Sequence, residues 1–279
     1  VSAAHAVIHA LTVLMPLIYP FIQAEYHLSY TQIGLIVAIP NAVGGLLQII
    51  FGLLSRYILR KVMLGIGNIL VGISTFFTGT IVGFWSLMAW SMLSRIAGAP
   101  QHPVGSSYLT DRYGRKRHGF ALAWHVAGGN IGTLLVPLIA GPLIGMWGWR
   151  PVLYLAALPG ILVGIAILIL VEEHDLLDRR ISRTKFQQEG LASSTSWNWK
   201  AGLKSLVQPL QSRTLAIIMA VSIIAAGGRG LGNVTTYVPL YLHNIRHLND
   251  TIVSVFFTIL LVGSVLGPLP VSYTHLRAH

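Results

Sequence analysis

Six side chains in this sequence can do ionic or proton chemistry inside long apolar stretches: His5, His9, His102, His125, Arg95 and Arg229. An imidazole titrates near pH ~6.5, so each histidine is a candidate to take up and release a proton. His5 and His9 are four residues apart and share one helix face. His102 lies between Pro100 and Pro103, and such prolines release backbone carbonyls that protein or water must satisfy. His125 stands one helical turn before Gly128 and Gly129. Each imidazole also has a plainer role, hydrogen bonding to a neighbouring helix, and spacing alone leaves both open. The pair His5 and His9 has no third ligand at metal-binding spacing, so neither a metal centre nor another cofactor is expected.

The arginines are sharper signals. A guanidinium in hydrocarbon costs at least ~2.5–3.5 kcal/mol on insertion scales and is directed to a cavity or a partner. The chain has eight acids: Glu25, Asp111, Glu172, Glu173, Asp175, Asp178, Glu189 and Asp250. All lie in expected loops or at the ends of apolar stretches, so none can neutralise Arg95 or Arg229. An anionic substrate would supply that charge, bidentately if it is a carboxylate, phosphate or phosphonate. Asn41, Gln48, Gln101 and Asn130 are uncharged candidates to line the same path. The alternative for Arg95 is hydrogen bonding to carbonyls at the proline break, and for Arg229 snorkelling to the interface.

The elements that hold these groups are membrane spans. Of 279 residues, 54% are hydrophobic and only 10% charged, against about a quarter charged in soluble domains. With no cysteine, disulfides and thiol catalysis are excluded. Eight spans are expected: His5–Ala24, Thr31–Leu54, two within Val62–Ser94 folded back at Val82–Trp85, Gly119–Ile144, Pro151–Val171, Thr214–Leu242 and Thr251–Pro270. The run 62–94 contains no charge and, at ~1.5 Å per residue, exceeds one bilayer crossing. Trp147 and Trp149 in the turn Met146–Arg150 fit an interfacial belt.

Charge distribution sets the orientation. Loops after the second, fourth and sixth spans hold fourteen Lys and Arg residues, the others only Arg150 and Arg246. By the positive-inside rule both ends are cytoplasmic. The net charge of +11 is therefore a topology label, and nucleic acid is not an expected partner. Gly228-Arg229-Gly230-Leu231-Gly232 is not a nucleotide loop, because no strand precedes it.

A weak internal echo divides the chain. Pro16-Leu17-Ile18 returns as Pro239-Leu240-Tyr241, and His27-Leu28-Ser29-Tyr30-Thr31 as His247-Leu248-Asn249-Asp250-Thr251. The expected organisation is a six-helix bundle over 1–171, a cytoplasmic linker over 172–213, and a restarted pattern over 214–270. Residues 271–279 (VSYTHLRAH) continue neither a span nor a basic loop and read as a non-native tail. A complete second half would need four further spans.

This pattern resembles the major facilitator superfamily. The superfamily's cytoplasmic signature, G-x-L-A-D-R-x-G-R-K, is matched loosely by Gly52–Lys61. There Arg56 replaces the aspartate and Leu59 the second glycine, which weakens its gating role. A closer copy follows at Leu109-Thr110-Asp111-Arg112-Tyr113-Gly114-Arg115-Lys116, making Asp111, Arg112, Gly114, Arg115 and Lys116 a candidate gating loop. Arg95 with Gly98, and Gly128, Gly141, Pro142 and Gly145, also fit members' fourth and fifth spans, although Pro137 and Met146 replace glycines. GAPQHPVGSS and HGFALAWHVAGGNIG (within 98–132) are similar to the fosmidomycin-resistance exporters.

The resemblance implies an all-α multi-span bundle, with about eight of twelve helices present, in a bacterial inner membrane. It further implies proton-coupled export of a small, anionic solute or drug by alternating access. An anion or organic-acid uptake symporter is the alternative. From another class, a membrane-embedded enzyme or a receptor is a further alternative, which would need a catalytic constellation or a large extramembrane domain. Expected partners are thus the small-molecule substrate, the lipid bilayer and protons.

Overall fold

In the computed structural model, residues 1–55, 57–113, 117–173, 212–228 and 231–266 are described. Ten helices and no strand occur among them: α1 (Ser2–Tyr26), α2 (Tyr30–Leu54), α3 (Arg60–Thr78), α4 (Phe84–Gly98), α5 (Gln101–Arg112), α6 (His118–Trp147), α7 (Trp149–Leu170), α8 (Arg213–Gly228), α9 (Leu231–Asn244) and α10 (Asp250–Leu266). They form two compact units, 1–173 with 235–266, and 212–228 with 231–234. Five helices (α1, α2, α3, α6 and α7) are each long and apolar enough to cross a membrane alone.

The fourth expected span is built differently. It is the pair α4 and α5, of 15 and 12 residues, interrupted at Ala99-Pro100. Pro100 and Pro103 have no backbone N–H, so carbonyls one turn before them lose their helical donors. Ala99 N–H turns instead to the Ile96 carbonyl at 3.3 Å. Both break residues keep right-handed helical dihedrals, so the hydrogen-bond ladder is interrupted while the winding continues. The turn between α3 and α4 lies at 79–83, slightly earlier than the aromatic position suggests. Gly83, at φ 149°, occupies a backbone region that other residues rarely adopt.

Packing within the first unit relies on close backbone approach. A Cβ on Gly72 would meet the Ala157 carbonyl at 2.8 Å, and one on Gly164 the Gly65 carbonyl at 2.6 Å, so α3 and α7 touch through glycines as spans commonly do. Leu14, Leu17, Ile18, Ile22, Ile33, Leu87 and Leu153 form the interior, joined by Leu240 and Phe257. Large apolar side chains such as Leu46, Trp124, Ile169 and Leu170 stay exposed. Apolar exposure on this scale suits a lipid surround.

The echo between 27–31 and 247–251 is a shared turn. His27 (φ 51°) and His247 (φ 52°) are the non-glycine residues with positive φ among those described. Leu28 N–H then bonds back to Gln23, and Leu248 N–H to Leu242, each at 3.1 Å. Ser29 caps α2 by accepting from Gln32 N–H at 3.1 Å, and Asn249 caps α10 by accepting from Ile252 N–H at 2.9 Å. Histidine tolerates the left-handed region better than most residues, and Ser and Asn are favoured N-caps.

Candidate functional site

Three helices bring the histidines together. α1 carries His5 and His9 on one face, α5 begins beside the proline break with His102, and α6 presents His125. The His5 and His125 rings stack with centroids 4.0 Å apart. His9 and His102 stand edge-on to His5 at 4.5 and 5.1 Å. The approach of α6 to α1 depends on Gly128, Gly129 and Gly132. A Cβ at Gly129 would meet the His5 ring at 3.0 Å, and one at Gly132 would run into the Ala6 carbonyl.

Hydrogen bonding fixes one of these rings. His5 Nδ1 lies 2.8 Å from the His125 carbonyl oxygen. A carbonyl only accepts, so Nδ1 is the protonated nitrogen. His5 Nε2 then presents a lone pair, buried and without a hydrogen-bond partner. His9 Nδ1 is 3.4 Å from Thr133 Oγ1, a long contact. His125 is 2% exposed and neither ring nitrogen finds a partner. Spacing along the chain left His5 and His9 without a third metal ligand. The fold supplies one, since nitrogens of His5, His9 and His102 all lie within 4.8 Å of one another.

Next to this cluster is a cavity of about 150 Å³ whose lining includes His9, His102, Arg95, Asn41, Gln48 and Thr12. Arg95 and Thr12 also border a smaller cavity of about 50 Å³ with Tyr19, Thr75, Ser91 and Ser94. Gly44 lets α2 pass close to the Arg95 backbone, where a Cβ would meet the carbonyl at 3.1 Å. Among the described residues no carboxylate pairs with Arg95; Glu25 pairs with Arg150, Asp111 with Arg60, Glu172 with Arg112 and Asp250 with His243. The cavity wall is therefore cationic and rich in neutral hydrogen-bonding groups, an arrangement that can hold a small anion.

The other candidates are placed apart. Gln101 is 2% exposed and its Oε1 accepts from Asn68 Nδ2 at 3.4 Å, behind the wall rather than among the cavity-lining residues. Asn130 is half-buried on α6, next to the Gly129 that packs on His5. Arg229, Gly114, Arg115 and Lys116 lie outside the described residues. Thr12, Ser91, Ser94 and Tyr19 were not singled out by sequence reasoning. Thr12, one turn after His9, and Ser94, adjacent to Arg95, were its available signals.

The two basic loops meet. Arg60 at the start of α3 donates to Asp111 Oδ2 at 2.5 Å and to the Ser107 carbonyl at 2.9 Å. The loop that lacks an aspartate at position 56 thus uses Asp111 of the following loop. Lys61 N–H donates to Glu173 at 2.9 Å and Tyr108 Oη to the Glu172 carbonyl at 3.0 Å. At the other end of α1, Arg150 binds Glu25 through both terminal guanidinium nitrogens, lies over the Trp149 ring and donates to Tyr26 Oη at 2.9 Å. At that same end, Asn244 donates to Gln23 at 2.6 Å and Tyr237 to the Tyr30 carbonyl at 3.1 Å.

Apolar helices of spanning length around a polar, cation-lined cavity define a multi-pass helical membrane protein. The chain belongs to the Major Facilitator Superfamily, whose family model matches residues 2–277. It is 29% identical over 147 residues to the membrane sensor protein UhpC of Escherichia coli, covering 52% of this chain and 33% of that protein. It is 29% identical over 141 residues to the probable nitrate transporter NarT of Staphylococcus aureus, with 50% and 36% covered. With the proline/betaine transporter of Salmonella typhimurium it shares 23% identity over 255 residues, covering 83% and 49%. The chain thus spans about a third to a half of the length of these relatives. A crystal structure of a bacterial homologue of the human lysosomal transporter Spinster, inward-facing and unoccupied, has the same fold. Its TM-score is 0.75 at 18% identity, over 99% of this chain and 62% of that one.

Proposed function

We propose that this chain forms part of a secondary transporter that exports a small anion in exchange for protons. The observation that carries the reading is Arg95 in the 150 Å³ cavity, beside Asn41, Gln48 and Thr12 and without a carboxylate partner among the described residues. Two relatives support a small anion as cargo: NarT, named as a probable nitrate transporter, and a protein of Bacillus subtilis named for nitrite extrusion, 30% identical over 129 residues. That second match covers 46% of this chain and 32% of the relative.

In this reading residues 1–171 are one bundle and 214–270 the start of a second, rocking about a midplane site. The histidine cluster carries the coupling proton, Asp111 and Arg112 belong to the cytoplasmic gate, and both ends face the cytoplasm of a bacterial inner membrane. The resemblance of Gly98–Gly132 to the fosmidomycin-resistance exporters supports the export reading. In proteoliposomes holding the intact transporter, Arg95→Gln should reduce uptake of labelled nitrate at least ~100-fold, the cost of about 3 kcal/mol for losing a charge-assisted contact. Unchanged flux would remove Arg95 from the site.

Imposed pH gradients of each sign separate export from the alternative, uptake by symport. A second reading, a sensor, is favoured by the likeness to UhpC, a protein named as a membrane sensor. Saturable anion binding with no flux under any gradient would select it.

A further inference from the structure

We infer that His5, His9 and His102 form a binding site for a divalent first-row transition-metal ion. Their nitrogens lie within 4.8 Å of one another. With Zn–N bonds of about 2.0–2.1 Å, a tetrahedral ion holds its nitrogens about 3.3 Å apart. Closing that difference takes ring rotations of an ångström or so. Two ligands sit one turn apart on a single helix face, the spacing by which helices present metal-binding histidine pairs. The third comes from α5, whose first turn is loosened by the missing N–H groups of Pro100 and Pro103.

His5 is already oriented as a ligand. Its Nδ1–H donates to the His125 carbonyl at 2.8 Å, which fixes the tautomer and leaves the lone pair on the other nitrogen for a ligand. Metal-ligating histidines almost always make such a bond through their second nitrogen. That other nitrogen, Nε2, belongs to a residue only 5% exposed and has no partner. A buried acceptor left unsatisfied costs free energy, and a metal ion would satisfy it.

The donor set selects the ion. Three imidazoles without a carboxylate suit zinc, copper, nickel or cobalt, whereas magnesium and calcium require oxygen ligands. His102 is exposed and lines the 150 Å³ cavity, which provides both an entry path and an open fourth position. Arg95 borders the same cavity and repels a bare dication, so moderate affinity is expected. The inference needs only the three nitrogens and stands whether or not the chain transports an anion; a bound ion would compete with the coupling proton for the same lone pairs.

The test uses the full chain purified in detergent and titrated with Co²⁺, with Zn²⁺ as competitor. One equivalent should bind and produce visible bands of a nitrogen-rich cobalt site, bleached by Zn²⁺. His102→Gln changes an exposed side chain and should preserve folding, checked by helical circular dichroism and a monodisperse elution peak. It should weaken binding at least ~10-fold, because loss of even an outer-sphere partner costs 10–100-fold. His9→Gln should do the same. Either no saturable binding below ~1 mM or unchanged affinity in both folded variants would overturn the inference. The latter outcome would assign the metal to histidines elsewhere.

Discussion

The contact between α1 and α6 makes the strongest quantitative prediction, because three glycines on one chain report different clearances. A Cβ at Gly45 would meet nothing within 4 Å, one at Gly129 would lie 3.0 Å from His5 Cε1, and one at Gly132 would enter the Ala6 carbonyl. Replacing a helical glycine by alanine gains about 1 kcal/mol from backbone entropy. Overpacking a tight interior costs about 1–3 kcal/mol. Gly45→Ala should therefore be stabilising by up to ~1 kcal/mol. Gly129→Ala should come out at about 0–2 kcal/mol of loss, since the His5 ring can tilt by a few tenths of an ångström. Gly132→Ala meets backbone, which cannot tilt, and should lose at least ~2 kcal/mol. At about 2–4 °C per kcal/mol for a chain of this size, the extremes differ by at least ~4 °C. Thermal melting of the three variants in one detergent, followed by loss of the monodisperse peak, gives the order directly. If Gly132→Ala melts with or above Gly45→Ala, α6 does not approach α1 as described and the histidine cluster fails with it.

Other outcomes follow from single contacts. Asp111→Asn removes the carboxylate that holds Arg60. Because Asp111 is 65% exposed, stability should fall by only ~1 kcal/mol, and Arg60→Gln should cost less on the Asp111→Asn background than alone, keeping only the loss of its bond to Ser107. Additive losses in that double-mutant cycle would contradict the pairing. Gln23→Ala deletes the bond from Asn244 that ties α9 to α1. At ~1 kcal/mol it should raise the population opened at that end about 5-fold, read by cysteine labelling of an introduced Tyr237→Cys; unaltered labelling counts against it. Ser29→Ala and Asn249→Ala remove corresponding caps in the two halves of the echo, and each should cost ~1 kcal/mol. A loss confined to one of them would show that the two turns are not equivalent.

Much of the architecture was legible in the residues. Apolar runs of bilayer length locate α1, α2, α3, α6 and α7, since a span must be both long and uncharged whatever it packs against. The return of His-Leu-Ser as His-Leu-Asn marks two turns that share a left-handed histidine and a side-chain N-cap, because left-handed backbone and helix capping are local demands on residue type. The fourth span was less legible. Its division into α4 and α5 depends on how the carbonyls around Pro100 and Pro103 find partners. Hydropathy identifies the apolar part of that span, and the helix continues past the break through the polar run 101–112. Gln101 shows the limit for single polar residues: its type suits a transport path, yet the turn of α5 directs it to Asn68.

Composition, charge asymmetry and apolar length by themselves determined that this is a multi-pass helical membrane protein with an arginine lacking an acid on its own span. These are properties of each segment in its solvent, and they need no knowledge of neighbours. Only the tertiary structure decided that four histidines from α1, α5 and α6 meet, that His102 completes a set of three with His5 and His9, and that Asp111 serves Arg60. Those pairings join residues up to 120 positions apart. They depend on which glycines allow backbones to approach and which helix faces then coincide, and no local spacing records that.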